Sequence, residues 1–161
     1  MIALYAFDGE LARAGRVASQ PLLAEIRLTW WREVLDEVYE DRPVRRHPTA
    51  QALATAVARR RLSREPLEAA VDSWIDGQDA AAAGAIAEAA ALALDPGIDR
   101  DASRIAGRAW RAGVDAEARA ASRRLSAAAF PAVAHAVLHG RQDGELARRL
   151  RLTWAIARGR F

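Results

Sequence analysis

Two carboxylates four residues apart on a helix share one face and can hold a divalent cation between them. Asp72 and Asp76 have that spacing, with Asp79 close behind. Trp74 and Ile75 lie between the first two, and a cation would need further ligands from elsewhere in the fold, so the competing reading is an exposed acidic face. Asp115 and Glu117 form a second acidic pair. Arg119 stands four places after Asp115, the position of an ordinary i, i+4 ion pair. His135 and His139 also have metal-friendly spacing, but no glutamate follows the first histidine as the zinc-protease pattern requires. His47 precedes Pro48 in a tight link and reads as structural. None of Ser19, Ser63, Ser73, Ser103, Ser122 and Ser126 sits in a G-x-S-x-G elbow, and neither common phosphate-cradling glycine loop is present. With no cysteine, a disulfide framework, a thiol nucleophile and a cysteine-based zinc site are all excluded.

The elements that must position these residues read as helices throughout. From Pro21 to about Asp41, Leu23, Ile26, Trp30, Val34 and Val38 recur at spacings of three and four. Leu28, Trp31, Leu35 and Tyr39 form a second row. A helix apolar over two stripes is expected at the centre of the fold, with Trp30 and Trp31 in the core. Gln20-Pro21 starts it and Asp41-Arg42-Pro43 stops it. Residues 3 to 18 precede it as a helix that contains Gly9 and Gly15, both explained by close packing against a neighbour. Pro48 opens a helix to about Arg61, and Ser63 is placed to cap one that carries Pro66 in its first turn and ends near Gly77. Asp79 to Leu94 is a nearly all-alanine helix with little side-chain volume to bury. Asp95-Pro96-Gly97 breaks the chain before a helix over 99 to 112. The last two helices are expected over about 114 to 139, bent at Phe130-Pro131, and about 143 to 158.

The order ALYAF, ELAR, then SQPLLAEIRLTWWREVLDEVY and RHP over residues 3 to 53 resembles the squalene/phytoene synthase superfamily. More closely it is similar to the non-catalytic branch that includes the mitochondrial complex I assembly factor and its bacterial relatives. Gly107-Arg108-Ala109-Trp110 and Phe130-Pro131-Ala132 carry a thinner likeness. The resemblance implies an all-α helical bundle of the isoprenoid synthase type, shortened here to about seven helices in one domain over residues 1–161.

Enzymes of that superfamily join two prenyl diphosphates through magnesium held by two Asp-x-x-x-Asp motifs on facing helices. Laid on this chain, the first motif falls at Ala12 and Arg16, a methyl group and a guanidinium in place of two carboxylates. The second motif is absent where Trp110-Arg111-Ala112-Gly113 runs directly into Val114-Asp115. The resemblance thus implies a pseudoenzyme with no catalytic residue and no bound metal, acting in binding or assembly. Its alternative is a working prenyltransferase of isoprenoid biosynthesis that requires magnesium. A pocket for a prenyl lipid, lined by Tyr5, Phe7, Trp30 and Trp31, is implied without the chemistry. Helices lost from the bundle would leave an apolar face for a protein partner or a second copy to cover.

Composition sets the remaining bounds. A chain of 161 residues can bury one sizeable core. All 24 basic residues are arginine, a coding bias that explains a pI of 10.4 on a net charge of only +3, and so small a charge gives no ground for nucleic acid. No apolar run reaches membrane-spanning length and no leader precedes the fold, which points to a cytoplasmic protein.

Peripheral membrane contact is the exception to consider. Residues 141 to 161 hold six arginines against Asp143 and Glu145, a net +4 that leaves −1 for the rest. Leu146, Leu150 and Trp154 recur at i+4, flanked by Arg148, Arg149 and Arg151. This stripe either closes the bundle core, the ordinary outcome, or lies on a membrane or partner surface.

Overall fold

Alanine decides what lies at the centre of this molecule. The computed structural model describes residues 1–17, 21–60 and 62–161. Among them the chain forms eight α-helices: α1 Ile2–Val17, α2 Pro21–Tyr39, α3 Pro48–Arg60, α4 Arg64–Ile75, α5 Asp79–Leu94, α6 Arg100–Ala112, α7 Ala116–Ser122 and α8 Glu145–Arg158. Short 3-10 helices lie at Phe130–Ala132 and Ala134–Leu138, and no strand occurs among the described residues. The fold is all-α, as expected.

The expectation that α2 is central is corrected. Every residue of α5 from Ala82 to Ala91 is buried, whereas α2 buries only Leu28, Trp31, Val34, Leu35 and Glu37. Leu22, Leu23 and Ile26 of α2 face solvent and Trp30 is half-buried. A helix buried all round is the inner element of a bundle. Small side chains are what permit it, because they let α4 and α6 pack closely on both sides. A Cβ at Gly84 would stand 2.7 Å from the Arg104 carbonyl oxygen, and one at Gly107 would overlap the Ala87 methyl. The two glycines mark where α5 and α6 meet backbone to backbone.

Around α5 the larger side chains supply most of the apolar burial. Leu4, Phe7 and Leu11 of α1 meet Leu28, Trp31, Val34 and Leu35 of α2, with Leu53, Leu67, Val71 and Trp74 from α3 and α4. Each fully buried leucine or phenylalanine stabilises by about 1.5–3 kcal/mol, several times an alanine methyl. A second cluster joins Ala102 and Ala106 of α6 to Phe130, Val133 and Ala155. Gly15 does make a close approach, since a Cβ there would lie 2.5 Å from the Trp74 ring, but Gly9 has nothing within 4 Å. The packing reason expected for both glycines holds for Gly15 alone.

Three local expectations change. The helix expected over 114 to 139 is instead the short α7 followed by turns. Ser126 Oγ donates to the Asp95 carboxylate at 2.6 Å and accepts from Ala129 N at 3.2 Å, while Pro131 lacks an N–H, so side-chain bonds displace the helical ladder. Ser63 occupies the N-cap of α4 with extended backbone, but its hydroxyl makes no capping bond. Asp115 caps α7 by accepting from Ala118 N at 2.7 Å, in place of the ion pair expected with Arg119. Ser19 and Gln20 lie outside the described residues, and Pro21 is the first residue of α2.

Candidate functional site

Asp8, Ala12 and Arg16 follow one another at i+4 along α1 and open on a cleft of about 430 Å³. The start of α5 brings Asp79 to it, and the end of α6 brings Trp110 and Arg111. Arg111 Nη2 donates to Asp8 Oδ1 at 2.6 Å and Nη1 donates to the Asp79 carbonyl oxygen at 2.8 Å. Arg16 Nη2 reaches Asp79 Oδ2 at 3.4 Å. Both guanidinium groups also lie over Trp74, at 4.9 Å for Arg111 and 5.4 Å for Arg16. Each carboxylate lining the cleft therefore already has an arginine partner.

The residues present do not fit a magnesium ion here. Ala12 offers no donor atom, Arg16 brings a positive charge where a cation would sit, and Asp8 is held by Arg111. Among the described residues no three histidine or acidic side chains converge as a metal site. The Asp72–Asp76 spacing does not converge either: Asp72 pairs with Arg32, and Asp76 is the C-cap of α4.

The four aromatic residues expected to line one pocket are divided. Phe7 is fully buried and packs edge-on against Trp31, with ring centroids 5.3 Å apart, so it belongs to the core and lines no wall. Trp30 and Trp31 line a cleft of about 400 Å³ with Arg13, Ile26, Arg27 and His47. The His47 ring stands edge-on to both indoles, and its buried Nδ1 has no hydrogen-bond partner among the described residues. Tyr5 lines a separate, apolar cleft of about 440 Å³ between α1 and α8, with Trp110, His135, Leu152 and Ile156. Its hydroxyl donates to the Ala132 carbonyl at 3.2 Å. Burial, and then the Asp8 carboxylate, push the Tyr5 phenol up to about 12.

His135 and His139 do not meet at a metal. His135 is wedged between Tyr5 and Trp110, with centroids 5.4 and 4.8 Å away. Burial depresses its pKa to about 4; Asp8 opposes the shift and Arg111 adds to it. His139 Nδ1 donates to the Trp110 carbonyl at 2.8 Å and closes the far side of the α1 cleft.

The α8 stripe does not close the core. Leu146, Leu150 and Trp154 are 72%, 62% and 63% exposed, and Ala155 is the one buried residue of the helix. Arg149 pairs with Glu145 and Arg151 with Asp143, each at 2.8 Å, while Arg158 lies 4.9 Å over the Trp154 ring. At about 100° per residue Arg148 falls on the opposite side of α8 from Leu146, toward Ala155.

Sequence reasoning missed Asp8 and Arg111, the pair that organises the α1 cleft. The one available signal was that Asp8 stands a helical turn before Ala12 on the same face.

With this arrangement in view, comparison with known proteins places the chain. The family model for squalene/phytoene synthase matches residues 1–88, more than half of the 161, and the chain belongs to that family. The matched region runs from α1 into α5 and so contains Ala12, Arg16, Trp30 and Trp31. No curated protein and no solved structure matches the chain.

Proposed function

We propose that this chain is a non-catalytic member of the squalene/phytoene synthase family, of the kind represented by the complex I assembly factor branch. Its role is binding, with a prenyl lipid or a protein partner as the content. The observation that carries this reading is the chemistry of the α1 cleft. At the two positions where the family's enzymes place aspartates stand Ala12 and Arg16, and the neighbouring carboxylates of Asp8 and Asp79 are engaged by Arg111 and Arg16. Departure of a diphosphate needs its developing charge stabilised, and paired carboxylates holding magnesium are the family's device for that. The apolar clefts beside Trp30 and Tyr5 support the binding half of the reading, since their volumes fall in the range of about 300–1,000 Å³ common to small-molecule sites.

Incubation with labelled farnesyl or geranylgeranyl diphosphate and magnesium tests it, scoring turnover and retention separately. Retention without turnover is expected for a prenyl-lipid binder. Neither retention nor turnover favours a protein partner. Turnover above a no-protein control overturns the reading and returns the chain to the prenyltransferases.

A further inference from the structure

We propose that α8 is an interfacial helix that seats this protein on an anionic phospholipid surface. Its outward face carries Leu146, Leu150 and Trp154, three large apolar side chains in line and each more than half exposed. At about 100° per residue they form one stripe with Ala157, bordered by Arg149 on one side and by Arg151 and Arg158 on the other. The helix docks on the bundle through a narrow inner edge, Ala155 with partly buried Leu152, so the outer stripe contributes nothing to the core.

Charge selects the occupant. Residues 141–161 carry +4 and the remainder of the chain −1. Arg158 and Arg160 have no carboxylate partner among the described residues, whereas Arg149 and Arg151 are paired locally. A second copy would bring +4 against +4 across the same stripe, while an anionic bilayer neutralises the arginines and takes up the leucines and the indole. The face is a convex single helix, a shape that lies flat in a headgroup layer. No helix among the described residues is long and apolar enough to cross a membrane, so the contact is one of lying on the surface.

Flotation of the full chain with phosphatidylcholine vesicles containing about one third phosphatidylglycerol tests this. At low salt the protein should float with these vesicles, remain in the soluble fraction with pure phosphatidylcholine, and lose at least about tenfold in partitioning as salt rises to about 0.5 M. Leu150→Glu with Trp154→Glu should abolish flotation with the urea midpoint unchanged, because both side chains stand in solvent. Arg158→Gln and Arg160→Gln should each weaken partitioning about fivefold. The proposal is overturned if the wild-type chain stays in the soluble fraction at low salt, if the Leu150/Trp154 variant floats equally well, or if neutral vesicles bind as strongly as anionic ones. It is equally overturned if light scattering finds a dimer that this variant breaks while neither protein floats.

Discussion

Arg111 Nη2 sits 2.6 Å from Asp8 Oδ1, with the two side chains only 7% and 12% exposed. The pair ties the end of α6 to α1 across 103 positions of sequence, and the second guanidinium nitrogen fastens the start of α5 through the Asp79 carbonyl. One arginine thus holds three helices around the cleft that Ala12 and Arg16 line.

Breaking that link from one side should be costly. Arg111→Met leaves the Asp8 carboxylate buried without its partner, and removing one member of a buried pair destabilises by about 3–5 kcal/mol. Replacing both, as Asp8→Asn with Arg111→Met, should recover a large part of the loss. Arg32→Met, which removes an exposed pair with Asp72, should cost no more than about 1 kcal/mol. Urea unfolding of the four proteins checks the ordering, and an Arg111→Met cost equal to that of Arg32→Met would contradict it.

The two helical glycines with opposite surroundings should respond in opposite directions. Gly107→Ala drives a methyl into Ala87 and forces α5 and α6 apart, an overpacking expected to cost about 1–3 kcal/mol. Gly9→Ala enters open space within α1 and should stabilise by about 0.5–1 kcal/mol through helix propensity. Thermal melts of both variants distinguish the sites, and equal shifts of one sign would show that the α5–α6 contact is looser than described.

His135 should make stability fall with acid. Its folded pKa of about 4 lies below its ordinary value near 6.5, so between those values the unfolded chain binds more protons than the folded one. The contribution is complete above about pH 6.5 and is lost as pH falls through about 4, reaching on the order of 3 kcal/mol. Asp8 and Arg111, the charges nearest the ring, act in opposite directions and leave burial as the dominant cause. His135→Phe keeps an aromatic ring against Tyr5 and Trp110 and should flatten the difference between urea midpoints at pH 7 and pH 4.5. An unchanged pH dependence in the variant would assign the acid sensitivity to other groups.

How much of this could be read beforehand depends on contrast and on distance along the chain. The start of α2 at Pro21 and the end of α5 at Asp95-Pro96-Gly97 follow from local stereochemistry alone, whereas Phe7, expected to line a pocket, lies in the core with Leu4 and Leu11. The central place of α5 was not legible: a run of alanine gives little contrast from which to read a face, its one internal charge, Glu88, is itself buried against Arg100 and Arg104, and Gly107, which lets α6 approach, belongs to a different helix. The Asp8–Arg111 pair was invisible for a related reason, since spacing rules reach four residues and these partners lie 103 apart. On α8 the amphipathic stripe was plain but its direction was not, because one pattern serves equally for a core face and for an interfacial face.

Returning carboxylates to the motif positions should not produce a prenyltransferase. In Ala12→Asp with Arg16→Asp, the new side chains would line one face of α1 with Asp8, and Asp79 would lose its Arg16 partner. Four acidic groups around one cleft can attract magnesium, but Arg111 remains among them, and the Asp72-x-x-x-Asp76 pair of α4, with Asp72 held by Arg32, does not line the cleft. The expected result is magnesium binding, detectable by calorimetry, with no product from farnesyl diphosphate. Stability should change by little more than about 1 kcal/mol, since the Arg16–Asp79 pair is half exposed. Product formed by the double variant and not by the parent chain would mean that the rest of the catalytic apparatus is intact and that only the first motif had been lost.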